Sequence, residues 1–262
     1  MCVCVCVCVA MAPRKSGLPR KRFYRARAHS NPLSDSQFPV PITPDHVDWS
    51  QNFPHFFTAA EDDDDDGKAA KNGDVSDLKQ VRFADIGCGF GGLLVKLSPI
   101  FPDKLMVGME LRDKVSEYVK DRILALRLEH PGEFRNISIV RTNAMKYLHN
   151  YFRKGQLEKM FFLFPDPHFK ERNHRRRVIS ISLLAEYAHV MSIGGILYTI
   201  TDVEELGEWM KSCLDSHPLF EEVSLKEQEV DPVVQLLKMA TEENGDTYRS
   251  VYRRVSAIRS KE

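Results

Sequence analysis

The chain has 262 residues, of which 43% are hydrophobic and 28% are charged, and its formal net charge is zero. This length suffices for one large domain with tails, and the composition excludes a chain that is disordered throughout. The charges are unevenly placed, since every charged residue within 14–27 is basic and residues 61–66 are all acidic. Runs of like charge are usually solvated. Residues 30–80 are also rich in Pro, Ser and Asp. We therefore predict a flexible N-terminal tail over residues 1–78, with a basic arm at 14–27 and an acidic run at 61–66.

The first nine residues are a low-complexity stretch in which cysteine and valine alternate. No basic segment precedes this stretch and it is too short to span a bilayer, so we predict neither a signal peptide nor a membrane helix. Elsewhere the cysteines are Cys88 and Cys213, which favours a reducing compartment over a disulfide framework. The stretch lacks histidine and turn residues, and we predict no metal site.

The tail also carries features that suggest binding. Aromatic Phe23 and Tyr24 interleave with the cations of the basic arm, a combination typical of segments that bind nucleic acid. Residues 47–50 and 53–57 offer apolar side chains that could dock on the domain or on a partner. Residues 25–30 match the R-x-R-x-x-S pattern of basophilic kinases. We hypothesise that a phosphate on Ser30 cancels local positive charge and weakens nucleic-acid binding.

From residue 81 onward, apolar runs alternate with amphipathic stretches. This alternation predicts an α/β fold with a mostly parallel, doubly wound sheet and a ligand site at the carboxyl ends of the strands. Two late strands are joined by a connection without a clear helical pattern, so we expect an antiparallel final strand. The predicted strands are 81–86, 105–111, 137–141, 160–164, 196–200, 220–225 and 250–258, and the predicted helices lie near 91–99, 113–128, 178–191 and 203–214.

A glycine-dense turn follows the first strand at residues 85–92. Gly87, Gly89 and Gly92 fit the dinucleotide pattern G-x-G-x-x-G, and Asp85 with Gly87, Gly89 and Gly91 fits the acid-x-G-x-G-x-G pattern of S-adenosylmethionine enzymes. Glu110 ends the second strand, where a carboxylate meets ribose hydroxyls in either class. The turn alone therefore leaves a nicotinamide-dependent oxidoreductase as an alternative, although no Tyr-x-x-x-Lys pair stands out.

Polar residues also follow the third and fourth strands. Asn143 and Ala144 could flank an adenine ring. Asp166 stands between two prolines, which restrict the backbone and present the carboxylate on a stiff loop suited to binding a flat base. A basic patch that could hold phosphates comes directly after it, formed by Lys170, Arg172, His174, Arg175, Arg176 and Arg177.

At these residues the chain resembles the tRNA (guanine-N(7))-methyltransferases, specifically the eukaryotic catalytic subunit. The P-D-P-H-F-K stretch at 165–170 is far more specific than the glycine turn. The resemblance covers most of the sequence and includes residues 27–32, 48–50, 84–92, 155–157, 160–170, 183–187, 198–202 and 241–243.

The resemblance implies a Rossmann-like class I methyltransferase domain over residues 79–262. This domain would use S-adenosylmethionine to methylate the variable-loop guanine at tRNA position 46. It further implies a non-catalytic WD-repeat subunit and a location in the nucleus, with the cytoplasm as a second compartment. A catalytically silent RNA-binding subunit is the other alternative, but such a protein need not retain Asp85, Glu110 and Asp166 together.

The resemblance also assigns roles to individual residues. Asp166 corresponds to the active-site acid of the family. The chemistry agrees, since guanine N(7) carries a lone pair and no proton, so the acid orients the base and stabilises charge instead of acting as a general base. The implied cofactor-binding residues are Asp85, Gly87, Gly89, Glu110, Leu111, Arg112, Asn143, Ala144, Leu163, Thr241 and Glu243.

Overall fold

A computed structural model describes residues 17–27, 30–34, 38–57, 80–241 and 245–257. The strands are β1 Val81–Ile86, β2 Leu105–Glu110, β3 Ile137–Arg141, β4 Leu157–Leu163, β5 Met191–Thr201, β6 Phe220–Glu222 and β7 Tyr248–Arg254. The helices are α1 Pro54–Phe57, α2 Gly92–Leu97, α3 Asp113–Glu129, α4 Ala144–Tyr151, α5 Ile181–Val190, α6 Glu204–Asp215, α7 Leu225–Val230 and α8 Pro232–Thr241. Within these described ranges, no helix is both long enough and apolar enough to cross a bilayer.

The strands form one sheet in the order β3-β2-β1-β4-β5-β7-β6. β1 pairs in parallel with β2 and β4, and the parallel pairing continues outward to β3 on one side and β5 on the other. β7 runs antiparallel to both of its neighbours, β5 and β6. The predicted fold class, a mostly parallel doubly wound sheet with an antiparallel final strand, is confirmed.

The centre of the sheet is buried on both faces. Every residue of β2 is buried, as expected for a parallel strand that helices cover on both sides. One apolar cluster contains Phe162 and Leu184, and a second contains Phe83 and Leu94. Burial of this kind supplies most of the favourable free energy of folding.

Helices lie where the sequence patterns gave no prediction of them. The connection between β6 and β7 was expected without helices, and this expectation is wrong, because α7 and α8 lie there. α7 is short and mostly polar, so its helix is marked by a cap instead of an apolar face, with Ser224 accepting a hydrogen bond from the backbone N–H of Glu227. α4 begins in the same way, where the side chain of Asn143 accepts from the N–H of Met145.

The described residues of 38–57 pack on the sheet domain, in a region predicted to be a flexible tail. Phe53 is fully buried in the core, and Trp49 stacks on Phe152 with ring centroids 6.1 Å apart. Asn52 Nδ2 donates a hydrogen bond of 3.0 Å to Ser138 Oγ. Of the two options open for these apolar side chains, they dock on the domain. The acidic run at 61–66 lies outside the described residues.

We predict that Phe53→Ala destabilises the whole domain. Deleting a fully buried aromatic ring removes its burial and leaves a cavity, which should lower the free energy of unfolding by about 3–5 kcal/mol. Denaturant unfolding followed by circular dichroism measures this change. Ile42→Ala, at a side chain that is 78% exposed, is the control, and an equal, small effect of both substitutions would contradict the prediction.

Candidate active site

A cavity of about 650 Å³ opens at the carboxyl ends of the parallel strands. Each of five strands places at least one residue on its wall, namely Gly87 after β1, Glu110 in β2, Asn143 after β3, Asp166 after β4 and Asp202 after β5. The volume is that of a typical pocket for a small molecule or cofactor. The sheet therefore brings together the residues that were predicted from separate strand ends.

The glycine turn offers an open backbone surface to this cavity. Gly87 and Gly89 have φ values of 70° and 52°, in the left-handed region that favours glycine. A Cβ added at either residue would meet no atom within 4 Å, so space for a ligand lies directly against the chain. The N–H of Gly87 donates to the carbonyl of Met109 at 2.8 Å, which fixes the turn beside β2.

Glu110 is buried at the end of β2 and its carboxylate is held in place from several directions. Oε1 accepts from the backbone N–H and Nε of Arg112 at 2.9 and 3.0 Å. Oε2 accepts from Arg112 Nη2 at 3.0 Å and from the N–H of Gly89 at 3.2 Å. The acid that was predicted to meet ribose hydroxyls thus lies in the cavity wall, where hydroxyl donors would share it with Arg112 or displace that guanidinium.

A second cavity of about 400 Å³ adjoins the glycine turn and shares Gly87, Arg112 and Phe164 with the first. Asp85, Gly89, Leu163 and Leu237 contribute to its wall. Burial, followed by the charge of Glu110, raises the pKa of Asp85 to about 7. The wall of this cavity thus combines one buried acid with the cations Lys96 and Arg112.

The amide of Asn143, which was predicted to flank adenine, forms hydrogen bonds within the protein. The side chain is buried in the cavity wall, but Oδ1 caps α4, and Nδ2 donates to the carbonyl of Pro32 at 2.6 Å. Lys146 holds the same segment through the carbonyls of Leu33 and Ser34. Asn143 therefore fastens the N-terminal segment against the cavity, while Leu111 and Ala144 provide neighbouring wall.

The loop after β4 presents Asp166 at the mouth of the cavity with its side chain 28% exposed. Phe164 and His168 bracket the loop with φ values of 50° and 47°, a conformation that is costly for residues with a Cβ. The N–H of Phe164 donates to the carbonyl of Ile200 at 2.7 Å. The N–H of His168 lies 3.4 Å from Asp166 Oδ1. The carboxylate thus sits on a strained loop that the sheet holds at its first residue.

The predicted basic patch divides into two parts. A cavity of about 560 Å³ adjoins Asp166, and its wall includes Arg27, Lys170, Arg172 and Arg176. Lys170, Arg172 and Arg175 are exposed, as a phosphate-binding role requires.

The prediction that Arg177 holds phosphate is wrong, because its side chain is only 1% exposed and its Nη2 pairs with Glu205 at 2.6 Å. His174 also turns inward, with its ring 5.4 Å from that of Trp209. A run of cations has the same appearance in sequence whether its members face water or the core.

Glu243 lies outside the described residues, and α8 ends at Thr241. Ser30 lines both the main cavity and the basic cavity beside Asp166. Asp202 was not predicted as a site residue, although its position directly after β5 is the same signal that identified Asn143 and Asp166.

Known proteins are similar to this chain over almost its whole length. The family described as putative methyltransferase matches residues 79–253. A tRNA (guanine-N(7)-)-methyltransferase of Oryza sativa subsp. indica is 65% identical over 246 residues, which cover 91% of this chain and 92% of the rice protein. Proteins of that name from Arabidopsis thaliana and Mus musculus are 62% and 52% identical, and each alignment covers 94% of this chain and 95% and 94% of the relative, respectively.

The fold, the glycine turn and these matches define a methyltransferase. The chain belongs to the tRNA (guanine-N(7)-)-methyltransferase family. The predicted family and enzyme class are confirmed, and the alternative of a nicotinamide-dependent oxidoreductase is excluded.

We predict that Asp85 makes the stability of the ligand-free protein depend on pH. Its pKa of about 7 in the folded chain lies above its ordinary value, so the folded state favours the protonated acid and loses stability as pH rises from about 4 to about 7. Asp85→Asn removes this loss. The melting temperature of Asp85→Asn minus that of wild type should therefore be several degrees higher at about pH 8 than at about pH 5.

Thermal unfolding at the two pH values measures the effect. Glu129→Gln, at an exposed acid on α3, is the matched control and should show no such difference. An Asp85→Asn shift that is the same at both pH values would show that this acid is ionised throughout.

Proposed function

We propose that the protein methylates N(7) of the variable-loop guanine at position 46 of tRNA. S-adenosylmethionine is the methyl donor. The observation that carries this proposal is the placement of Asp166, at the mouth of a cavity that reaches Glu110 and Gly87 on one side and beside a cavity lined by Arg27, Arg172 and Arg176 on the other. One site thus offers a cofactor cradle, an acid for the base and cations for the phosphates.

The residues present fit this cofactor. The open face of Gly87 accepts a ligand against the backbone, the Glu110 carboxylate suits ribose hydroxyls, and the buried acid Asp85 suits a cationic group in the second cavity. When bound, S-adenosylmethionine supplies a methyl group activated by a positively charged sulfur. The chain itself supplies binding and orientation, which can lower a barrier by ~7 kcal/mol or more.

Asp166 recognises and stabilises the guanine. Its oxygens can accept hydrogen bonds from the ring N–H and the exocyclic amine of guanine, a pair of donors that adenine lacks. Methylation leaves a positive charge on the ring, which a nearby carboxylate stabilises. N(7) carries no proton, so the reaction needs no general base.

The tRNA backbone would meet the cations beside Asp166. Lys170 and Arg172 are exposed, and Arg176 lines both the main cavity and the basic one. Within the described part of the chain, Arg176 Nε is buried without a hydrogen-bond acceptor. A phosphate or a base oxygen would satisfy this donor, because buried polar groups normally have partners.

One modest patch of cations covers little of a folded tRNA. We therefore propose that a WD-repeat subunit extends the tRNA-binding surface, and that the enzyme acts in the nucleus, as the family resemblance implies. The described part of the basic arm lies beside the glycine turn, since Lys21 Nζ is 4.7 Å from the ring of Phe90 in that turn.

The reaction is tested with labelled S-adenosylmethionine and tRNA transcripts that carry guanine or adenine at position 46. The assay uses the purified chain with and without a co-expressed WD-repeat subunit. We expect label on the guanine transcript alone, and cleavage at that nucleotide after borohydride and aniline treatment. Equal labelling of both transcripts would overturn the assignment of position 46, and labelling without aniline-sensitive cleavage would overturn that of N(7).

We predict that Asp166→Asn lowers the rate of methyl transfer by about 10²-fold or more, because the amide loses both the charge and one acceptor. The affinity for S-adenosylhomocysteine, measured by calorimetry, should stay close to that of wild type. Glu171→Gln in the neighbouring exposed turn is the control and should keep its activity. A fully active Asp166→Asn variant would remove this residue from the mechanism.

We also propose that a phosphate on Ser30 inhibits the enzyme. Ser30 lines the cavities on both sides of Asp166, so added negative charge there repels RNA phosphate and weakens the field of Arg27. Ser30→Asp should raise the dissociation constant for tRNA by about tenfold, as filter binding or anisotropy would show. Ser34→Asp in the same segment is the matched control, and equal tRNA affinity of the two variants would contradict the proposal.

A further inference from the structure

Two prolines limit the backbone hydrogen bonds of the loop that carries Asp166. Pro165 and Pro167 have no N–H, so the residues on either side of the acid cannot donate backbone hydrogen bonds. Phe164 and His168 hold left-handed φ values on the two sides of the loop. Backbone in this state persists where surrounding groups hold it. Within the loop the N–H of His168 reaches Asp166 Oδ1 at 3.4 Å, and contacts from outside the loop add to this hold on the acid.

Arg177 contacts the loop from the core. Its Nε donates to the carbonyl of Pro167 at 2.9 Å, one residue after the acid. Its Nη2 donates to Glu205 Oε1 at 2.6 Å, at the start of α6. Its guanidinium lies 4.8 Å from the ring of Trp209, on the same helix. A planar group fixed by three contacts has little freedom, so the Pro167 carbonyl is tied to α6.

Arg177 is a poor source of stability in its own right. Its side chain is almost fully buried, and among the described residues no acceptor reaches its Nη1. Burying a cation with an unsatisfied donor costs free energy, and well-packed apolar residues often replace such groups without loss. The geometry that Arg177 imposes on the loop is what an apolar side chain at this position could not supply.

We propose that Arg177 is a positioning residue, which holds the Asp166 carboxylate at the substrate by fixing the carbonyl of Pro167 to α6. Glu205 and Trp209 in turn orient the guanidinium. This inference rests on the proposed function, in which Asp166 meets the guanine. It also replaces the phosphate-binding role that the sequence suggested for Arg177.

The first test compares Arg177→Lys and Arg177→Met with wild type, each with its WD-repeat subunit, in single turnovers at saturating tRNA and S-adenosylmethionine. A lysine ammonium keeps the charge but cannot hold Pro167 and Glu205 together in one plane over Trp209. We expect Arg177→Lys to lower the rate by about ten- to a hundredfold. The dissociation constants for S-adenosylhomocysteine and tRNA should stay within about twofold.

Two control variants separate this role from general stability. Glu205→Gln keeps an acceptor for Arg177 and should lose less activity than Arg177→Lys. Arg253→Lys makes the same substitution in an exposed ion pair, in which Arg253 Nη2 lies 2.8 Å from Glu227 Oε1. This pair is remote from the site, so the variant should keep the wild-type rate. An unchanged rate in Arg177→Lys, or a loss matched by equal weakening of both dissociation constants, would overturn the proposal. Arg177→Lys decides the question if Arg177→Met fails to fold.

Hydrogen exchange measured by mass spectrometry tests the anchoring without any methylation. Peptides covering residues 162–172 should exchange faster in Arg177→Lys than in wild type, while peptides from β1 and β2 stay unchanged. If the loop loosens but wild-type enzyme leaves guanine 46 unmodified, the proposed function fails and the anchoring stands. Unchanged exchange of the loop would overturn the anchoring whatever the enzyme methylates.

Discussion

The parallel pairing of β1 with β2 and β4 is the constraint on which the site depends. Parallel strands end at one edge, so this register places the glycine turn, Glu110 and the Asp166 loop within one cavity. The approach is close, since a Cβ added at Gly108 in β2 would lie 2.6 Å from Cys88 Sγ in the turn. The glycine turn thus packs directly on β2. A shift of β1 relative to β2 would separate the turn from Glu110.

Two buried acidic residues, Asp85 and Glu110, lie beside the glycine turn. Burial raises the pKa values of Asp85 and of the Cys88 thiol. The charge of Glu110 raises both pKa values further, and the charge of Asp85 also raises that of Cys88. Arg112 offsets part of this charge by pairing with Glu110. The Asp166 side is different, because the exposed cations Lys170 and Arg172 lie there. The two parts of the site thus differ in charge, and under the proposed function the cationic part would meet the RNA phosphates.

Sequence patterns predicted much of this arrangement, and the predictions that failed did so for physical reasons. Periodicity located all seven strands, and the signal was clearest for the central strands β1 and β2, whose side chains are almost all buried. It did not find α4, α7 and α8. The starts of α4 and α7 are marked by single polar caps at Asn143 and Ser224. It also misplaced Arg177, since burial of one arginine in a cationic run is decided by tertiary contacts with Glu205 and Trp209.

The docked N-terminal segment would change the thermodynamics of the proposed RNA binding. Tyr24 in the basic arm donates a 2.6 Å hydrogen bond to Asp121 on α3, and the chain is fastened again at Asn143 and at the buried Phe53. A free cationic arm would lose much conformational entropy on RNA, and that loss would weaken binding. Here the domain has already imposed part of that order during folding. Preorganisation of this kind lets a few cations contribute affinity that a longer disordered arm would need more contacts to match.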